Sequence, residues 1–341
     1  MTTQSVVTVF PLTDPSQVGE ARRHAAALAR ELGFDETQGG QVAIVASEAA
    51  TNIVRHGAGG ELHVRGTLAE DGAPATLELV ALDKGPGIPD MGAAMRDGFS
   101  TGGTAGGGLG AIERLSTSFD IYSTPAGGTA LLARFAAPRA PAGEGGWLRV
   151  GVTAVPHPAE RVCGDAWATE MGADRALLMI ADGLGHGQSA ADAAQAAVRT
   201  FREHRARTLP AIVQSMHAAL RGTRGAAVGV AEVDRAAGLV RFAGVGNIAA
   251  AVLGAGVPSR SLISYNGIVG HEMRKVQEVS VPWARDAVLV MHSDGLQTSW
   301  KLDRYPGLVR HDPTLAAAVL YRDYTRGRDD VTVLVAREDV V

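Results

Sequence analysis

Residues 83–115 read DKGPGIPDMGAAMRDGFSTGGTAGGGLGAIERL, and the chain enters them from the apolar run LELVAL at 77–82. The run reads as a strand, and the segment from 109 to 117 as a helix. Asp83 stands where the strand stops, a place from which a carboxylate can accept a hydrogen bond from an exocyclic amine such as that of adenine. Gly85 and Gly87 let backbone pass close to a flat ring. From Ser100 to Gly110 a glycine-rich loop runs into a helix start, where bare amides can bind phosphate. Such a loop can also close as a lid. A plain turn followed by a linker has the same composition, so the stretch needs support from elsewhere.

Support lies upstream, in the helix expected over 38–56. Within QVAIVASEAATNIVRHG, Val42, Ile44, Val45, Ala49, Ile53 and Val54 supply the expected buried positions, and Glu48 and Asn52, spaced i,i+4, share one face. Beside nucleotide phosphates an amide oxygen can ligate Mg²⁺, and a carboxylate one turn earlier can orient or deprotonate a hydroxyl. An ordinary helix with a polar side shows the same spacing. The commonest phosphate cradle, G-x-x-x-x-G-K-[ST], is absent. G-x-G-x-x-A occurs at 106–111 and 244–249, in both cases without the context of a dinucleotide fold. Further strands are expected at 5–10, 61–68, 119–123 and 128–135 and a helix at 17–32, giving helices on one face of a mixed sheet.

Downstream, AAPRAPAGEGGW at 136–147 interrupts the apolar periodicity, which sets a first domain at 1–136, a linker at 137–147 and a second domain at 148–341. In the second domain, strands are expected near 148–155, 162–168, 175–181, 226–233, 239–244, 248–253, 275–281, 286–292 and 331–336. Helices are expected near 187–205, 209–222 and 313–323. Runs of strands enclosing a helical pair predict two packed sheets with helices outside, again α+β. Aspartates recur where apolar strands stop: Asp165 in CGDAW, Asp182 in ADGLGHG, Asp294 in SDGL, and Asp329 with Asp330 before the last strand. Hard oxygen ligands suit Mg²⁺ or Mn²⁺, and two such ions can share and activate a water. Any single Asp-Gly is also a common turn.

Composition narrows the remaining classes. The chain has 341 residues, 46% hydrophobic and 20% charged, enough for two domains of roughly 100–200 residues. Its 43 glycines are nearly twice the usual ~7%, and ten of them fall between Asp83 and Gly110. The single cysteine, Cys163, excludes a disulfide framework and a CxxC metal site, and fits a reducing compartment. A net charge of −4 gives no pull toward nucleic acid. No run approaches the ~18 apolar residues of a membrane span, so a cytoplasmic location is expected.

Taken together in this order, the first-domain segments resemble the GHKL ATPase superfamily, and within it the RsbT-type serine/threonine switch kinases. The resemblance covers residues 5–135 and implies a Bergerat α/β sandwich binding ATP with Mg²⁺. By that likeness Asn52 ligates Mg²⁺, Glu48 is the catalytic base, Asp83 reads adenine with Gly85 and Gly87 close to the base, and Gly106, Gly108 and Gly110 line the phosphate lid. Thr129 supports Asp83 through a hydroxyl or water. His24 and His56 read as surface or structural.

The second half, over about 148–337, resembles the PPM-type protein serine/threonine phosphatases in their SpoIIE/RsbX branch, with ADGLGHG the most specific match. The likeness implies an α-β-β-α sandwich holding two Mn²⁺ or Mg²⁺ ions. Asp165 and Asp182 bridge them, the Gly183 carbonyl also coordinates, and Asp294 and Asp329 each bind one ion, with Asp330 beside them. Arg161 is a candidate for substrate phosphate and His186 for a general acid or a helix-start residue. The implied function is a bifunctional partner-switching regulator acting on STAS-domain anti-anti-sigma or stressosome scaffold proteins, with a sigma factor or downstream phosphatase as further partners. The alternative is a phosphatase whose first domain is only an ATP-dependent binding or anti-sigma module.

Overall fold

The computed structural model describes residues 5–67, 75–95, 108–136, 146–254 and 257–339. It divides into two compact units. One holds residues 5–136 together with Arg310–Arg322, the other residues 146–309 with 323–339. The linker expected at 137–147 lies outside the described residues except for Gly146 and Trp147.

The first unit runs β1 (Ser5–Leu12), α1 (Ser16–Glu31), α2 (Glu36–His56), β2 (Gly60–Thr67), β3 (Thr76–Asp83), α3 (Met91–Ala94), α4 (Gly108–Leu115), β4 (Ser118–Ser123) and β5 (Thr129–Ala136). Its strands lie in the order β1-β2-β3-β5-β4, and every pairing is antiparallel. The expected mixed sheet is therefore corrected to an antiparallel one. Each strand finds a neighbour that returns beside it, and no parallel crossover is made. Alternation decides the faces. Leu62, Val64, Leu77, Leu79, Leu131 and Phe135 join the core under α1 and α2, each large side chain contributing roughly 1.5–3 kcal/mol by leaving water. Helix α2 starts with a reciprocal cap: the Asp35 carboxylate accepts from the Gln38 amide at 2.8 Å, and the Gln38 side chain accepts from the Asp35 amide. Ile44 departs from its expected place. It is 51% exposed, while Val42, Val45, Ala49 and Ile53 are buried.

The opposite face of this sheet mixes buried apolar side chains (Val80, Leu82, Leu132) with charged ones and is covered by Arg310–Arg322. Arg134 on β5 donates to both Asp312 carboxylate oxygens (2.6 and 2.9 Å), to Thr314 Oγ1 and to Glu78. Asp120 on β4 accepts from the His311 ring and the Asp312 amide. Tyr321 donates its hydroxyl to Glu61 and stands edge-on to His63. Burial pushes the Asp120 and Asp312 carboxyls up, but His311 on the first and Arg134 on the second outweigh it and hold both below the usual range.

The second unit stacks two antiparallel five-stranded sheets. It runs β6 (Leu148–Val155), β7 (Asp165–Met171), β8 (Arg175–Gly183), α5 (Gln188–Glu203), α6 (Leu209–Ala219), β9 (Ala226–Asp234), β10 (Leu239–Val245), β11 (Ala249–Gly254), β12 (Val257–Leu262), β13 (Gly267–Ile268), β14 (Glu272–Met273), β15 (Val279–Pro282), β16 (Val288–His292), α7 (Pro313–Tyr324) and β17 (Val331–Glu338). The sheet orders are β15-β10-β9-β8-β7 and β12-β11-β16-β17-β6. Leu178, Ile180, Phe242, Leu289 and Leu334 fill one core, and α5 and α6 cover another through Phe201, Ile212 and Met216. Most of α7 belongs to the first unit. Strand β7 begins at Asp165 rather than at 162.

Candidate functional sites

In the first unit a cavity of about 500 Å³ opens between α2 and the sheet. Glu48 and Asn52 line it from α2, Asp83 and Thr129 from adjoining strand ends, and Gly87 and Gly108 from the loops. Asp83 and Thr129 are register partners across β3 and β5. The Asp83 carboxylate accepts from the Gly85 amide at 2.8 Å and the Thr129 amide at 3.2 Å, both on Oδ1, which leaves Oδ2 to accept from a ligand. Thr129 thus reaches Asp83 through its backbone, while its hydroxyl pairs with Ser123. Burial raises the Asp83 carboxyl above its ordinary range against those two bonds and the charges of Arg322 and His56. Arg322 donates to the Asp83 carbonyl at 2.9 Å.

Gly87 has φ +72°, and a Cβ there would lie 2.1 Å from the Thr124 carbonyl, so the turn after Asp83 requires glycine. Of the expected phosphate-loop glycines, Gly108 lines the cavity at the start of α4, and Gly110 is buried within that helix. Gly106 lies outside the described residues. His56 also lines the cavity, whereas His24 packs against Phe10.

In the second unit Asp182, Asp294 and Asp329 line a cavity of about 410 Å³ with Asn247, Asn266 and Gly185. Asp165 faces Asp182 in register across β7 and β8. Ser293 donates to Asp165 Oδ2 at 2.7 Å and takes the Thr332 amide at 2.9 Å, which ties the acid to both neighbouring strands. The Asp330 carboxylate is buried and accepts from the His157 amide. Gly183 is fixed by packing: a Cβ would lie 2.1 Å from the Ala190 carbonyl.

Burial and the surrounding carboxylates push Asp182 upward, and burial does the same to Asp165 against the Ser293 bond. Asp165 Oδ1 and Asp330 Oδ2 are buried with no hydrogen-bond partner among the described residues. Uncompensated acids of this kind call for cations. No group of three or more acids, imidazoles or thiols among the described residues is close enough to hold one ion. The acids instead border a cavity, an arrangement that fits hard ions that keep most of their waters and take few carboxylates.

Two residues without an expected role act here. Asn247 donates its side-chain amide to Asp294, and Ser293 positions Asp165. Asn247 sits in the AGVGNI stretch, so its neighbourhood was visible in the sequence but its contact was not. Arg161 is exposed and does not line the acid cavity. His186 bonds to Glu160 at 2.8 Å and stacks on His157 just before α5.

Residues 12–135 match the histidine kinase-like ATPase domain. The serine/threonine-protein kinase RsbT of Bacillus subtilis (strain 168) is 35% identical over 133 residues, which are 39% of this chain and 96% of RsbT. The chain belongs to the RsbT family of histidine kinase-like ATPases. Beyond that ATPase domain, residues 172–339 match stage II sporulation protein E. A solved chain from the bacterial stressosome, a modular system adapted to control secondary messenger signaling, is 31% identical with a TM-score of 0.53. It aligns with 56% of this chain and 99% of its own. The phosphatase domain and regulatory-domain fragment of SpoIIE from Bacillus subtilis align with 96% of this chain and 94% of theirs, at 18% identity and a TM-score of 0.48. The RsbT-family chain is thus an enzyme with a kinase-like ATPase domain and a SpoIIE-type phosphatase domain. No helix among the described residues is long and apolar enough to cross a membrane.

Proposed function

We propose that the chain is a bifunctional partner-switching regulator which phosphorylates and dephosphorylates serine or threonine on STAS-domain proteins of a stressosome-like pathway. The observation that carries the reading is the pair of unlike cavities: one joins a carboxylate, an amide and a strand-end acid, the other is lined by Asp182, Asp294 and Asp329, with Asp165 in register with Asp182 and Asp330 next to Asp329 each keeping a buried carboxylate oxygen without a partner among the described residues.

In the ATPase domain, Asp83 Oδ2 would accept from the adenine amine and Asn52 would lend its amide oxygen to the Mg²⁺ that accompanies ATP. Glu48, one turn before Asn52, takes the proton of the partner's hydroxyl as its oxygen bonds to the γ-phosphorus and the bond to ADP breaks. The amides at the start of α4, from Gly108, face the phosphates. In the phosphatase domain, two divalent ions, when bound, supply Lewis acidity and a water that is nucleophilic near neutral pH. Asp165, Asp182, Asp294, Asp329 and the Gly183 carbonyl would hold those ions. Ser293 and Asn247 keep Asp165 and Asp294 oriented.

The test incubates the full chain with radiolabelled ATP and candidate STAS proteins, then with Mn²⁺. Label should move to a partner serine or threonine and leave on adding Mn²⁺. A chain that binds ATP and never transfers label loses the kinase assignment and reverts to a binding or anti-sigma module.

A further inference from the structure

A second, open hollow of about 500 Å³ is lined by Gln297, Thr298, Ser299, Arg326 and Arg328. Its walls are two loops, each growing from a proposed metal acid. One leaves Asp294, and the other ends at Asp329, the residue after Arg328. The loops are stitched together: Leu296 and Thr325 form an antiparallel bridge, the Gln297 amide donates to the Tyr324 carbonyl, and the Arg326 amide donates to the Gly295 carbonyl, both at 2.9 Å. Trp300 anchors the far end of the first loop by donating its indole N–H to His292 Nε2 at 3.0 Å. The Gly327 amide bonds back to Thr325 Oγ1 at 3.1 Å and shapes the turn between the arginines.

The hollow carries two guanidinium charges, two hydroxyls and an amide, and no acid lines it. Among the described residues neither Arg326 nor Arg328 has a carboxylate within ion-pair distance, although Arg65, Arg134, Arg175 and Arg241 in this chain all do. Guanidinium groups without an acid beside them in an open surface hollow are suited to bind an anion in a forked geometry.

The geometry points to an anion-binding subsite for an acidic side chain flanking the phosphorylated residue of the protein substrate. The subsite rests on the phosphatase reading of the second domain, because its position matters only if the phosphoryl group sits among the neighbouring aspartates. Arg328 is the chain neighbour of Asp329, with consecutive Cα atoms about 3.8 Å apart, so the acidic side chain belongs within a few residues of the phosphoserine.

The experiment compares full-length protein with the R326A/R328A double variant, using Mn²⁺ and phosphoserine peptides that carry Glu, Ala or a second phosphoserine two to four residues from the target. The wild type should cleave the Glu peptide with a kcat/KM about tenfold above the Ala peptide, chiefly through KM, and the double variant should bring that ratio close to one. Because the readout is a ratio on one preparation, a general loss of activity cancels. R326E/R328E should reverse the ratio, in favour of a Lys-bearing peptide. A preference for the second phosphoserine alone narrows the anion to phosphate and overturns the acidic-residue assignment. Equal cleavage of Glu and Ala peptides by the wild type overturns the subsite and leaves the phosphatase standing. Failure to hydrolyse any peptide or p-nitrophenyl phosphate with Mn²⁺ overturns both.

Discussion

Burial raises a carboxyl in both cavities, Asp83 in one and Asp165 and Asp182 in the other, but the donors set against it differ. In the ATPase domain Asp83 is supported by the amides of Gly85 and Thr129 and by nearby Arg322, and on the sheet's other side Asp120 and Asp312 are held by His311 and Arg134. In the phosphatase domain Asp165 and Asp182 are raised by burial and crowding, and Asp165 Oδ1 has no partner among the described residues. A site for an organic ligand is completed by the protein's own donors. A site for cations is left short of positive charge until the ions arrive.

The sharpest way to break this comparison is to remove one acid from each. Asp182→Ala should lower Mn²⁺-dependent dephosphorylation by a factor on the order of 10³ while ATP binding persists, and Asn52→Ala should abolish ATP binding while dephosphorylation persists. A single change that removes both activities would collapse the two sites into one.

The compensated acids make a pH prediction. A carboxyl held below its unfolded value contributes stability that is present above the unfolded pKa and is lost as pH falls through the folded one. Asp120 and Asp312 are both depressed, so the ATPase domain should lose thermal stability below about pH 4. Asp312→Asn should cost about 2–3 kcal/mol at pH 7 and flatten that acid limb, read by thermal unfolding across pH 3–7.

Next in size, Ser293→Ala frees Asp165 and should weaken Mn²⁺ about tenfold in a metal titration of activity, with kcat at saturating metal much less affected. The smallest effect sharpens the first cavity. Thr129 meets Asp83 through its amide, so Thr129→Ala should change the ATP Kd by less than about threefold, whereas Asp83→Ala should cost tenfold or more. A large loss at Thr129 would mean that its hydroxyl serves the ligand after all.

What could be read from the chain was whatever has a short-range signal. The i,i+4 pair Glu48 and Asn52 does line one cavity, and Asp182, Asp294 and Asp329 do line another, because strand ends of the two stacked sheets meet there. Ile44 misled because its apolar side chain sits at a position on α2 that faces away from the core. The pairing of Arg134 with Asp312 spans 178 residues and that of Tyr321 with Glu61 spans 260. No local pattern announces such contacts. Lone charged residues such as Glu78 on β3 and Arg134 on β5 read the same whether water or another part of the chain completes them. Asn247 and Ser293 were missed for a related reason: they touch acids that are distant in sequence, and an isolated Asn or Ser carries no spacing to read.

The segment Arg310–Arg322 also sets an order on biosynthesis. A ribosome delivers residues 5–136 early, yet the partners of Arg134, Glu61 and Asp120 emerge only after nearly the whole phosphatase sequence has been translated. A gene cut between residues 137 and 147 would encode an ATPase fragment whose second face still awaits its cover, and a phosphatase fragment that carries the missing piece away with it.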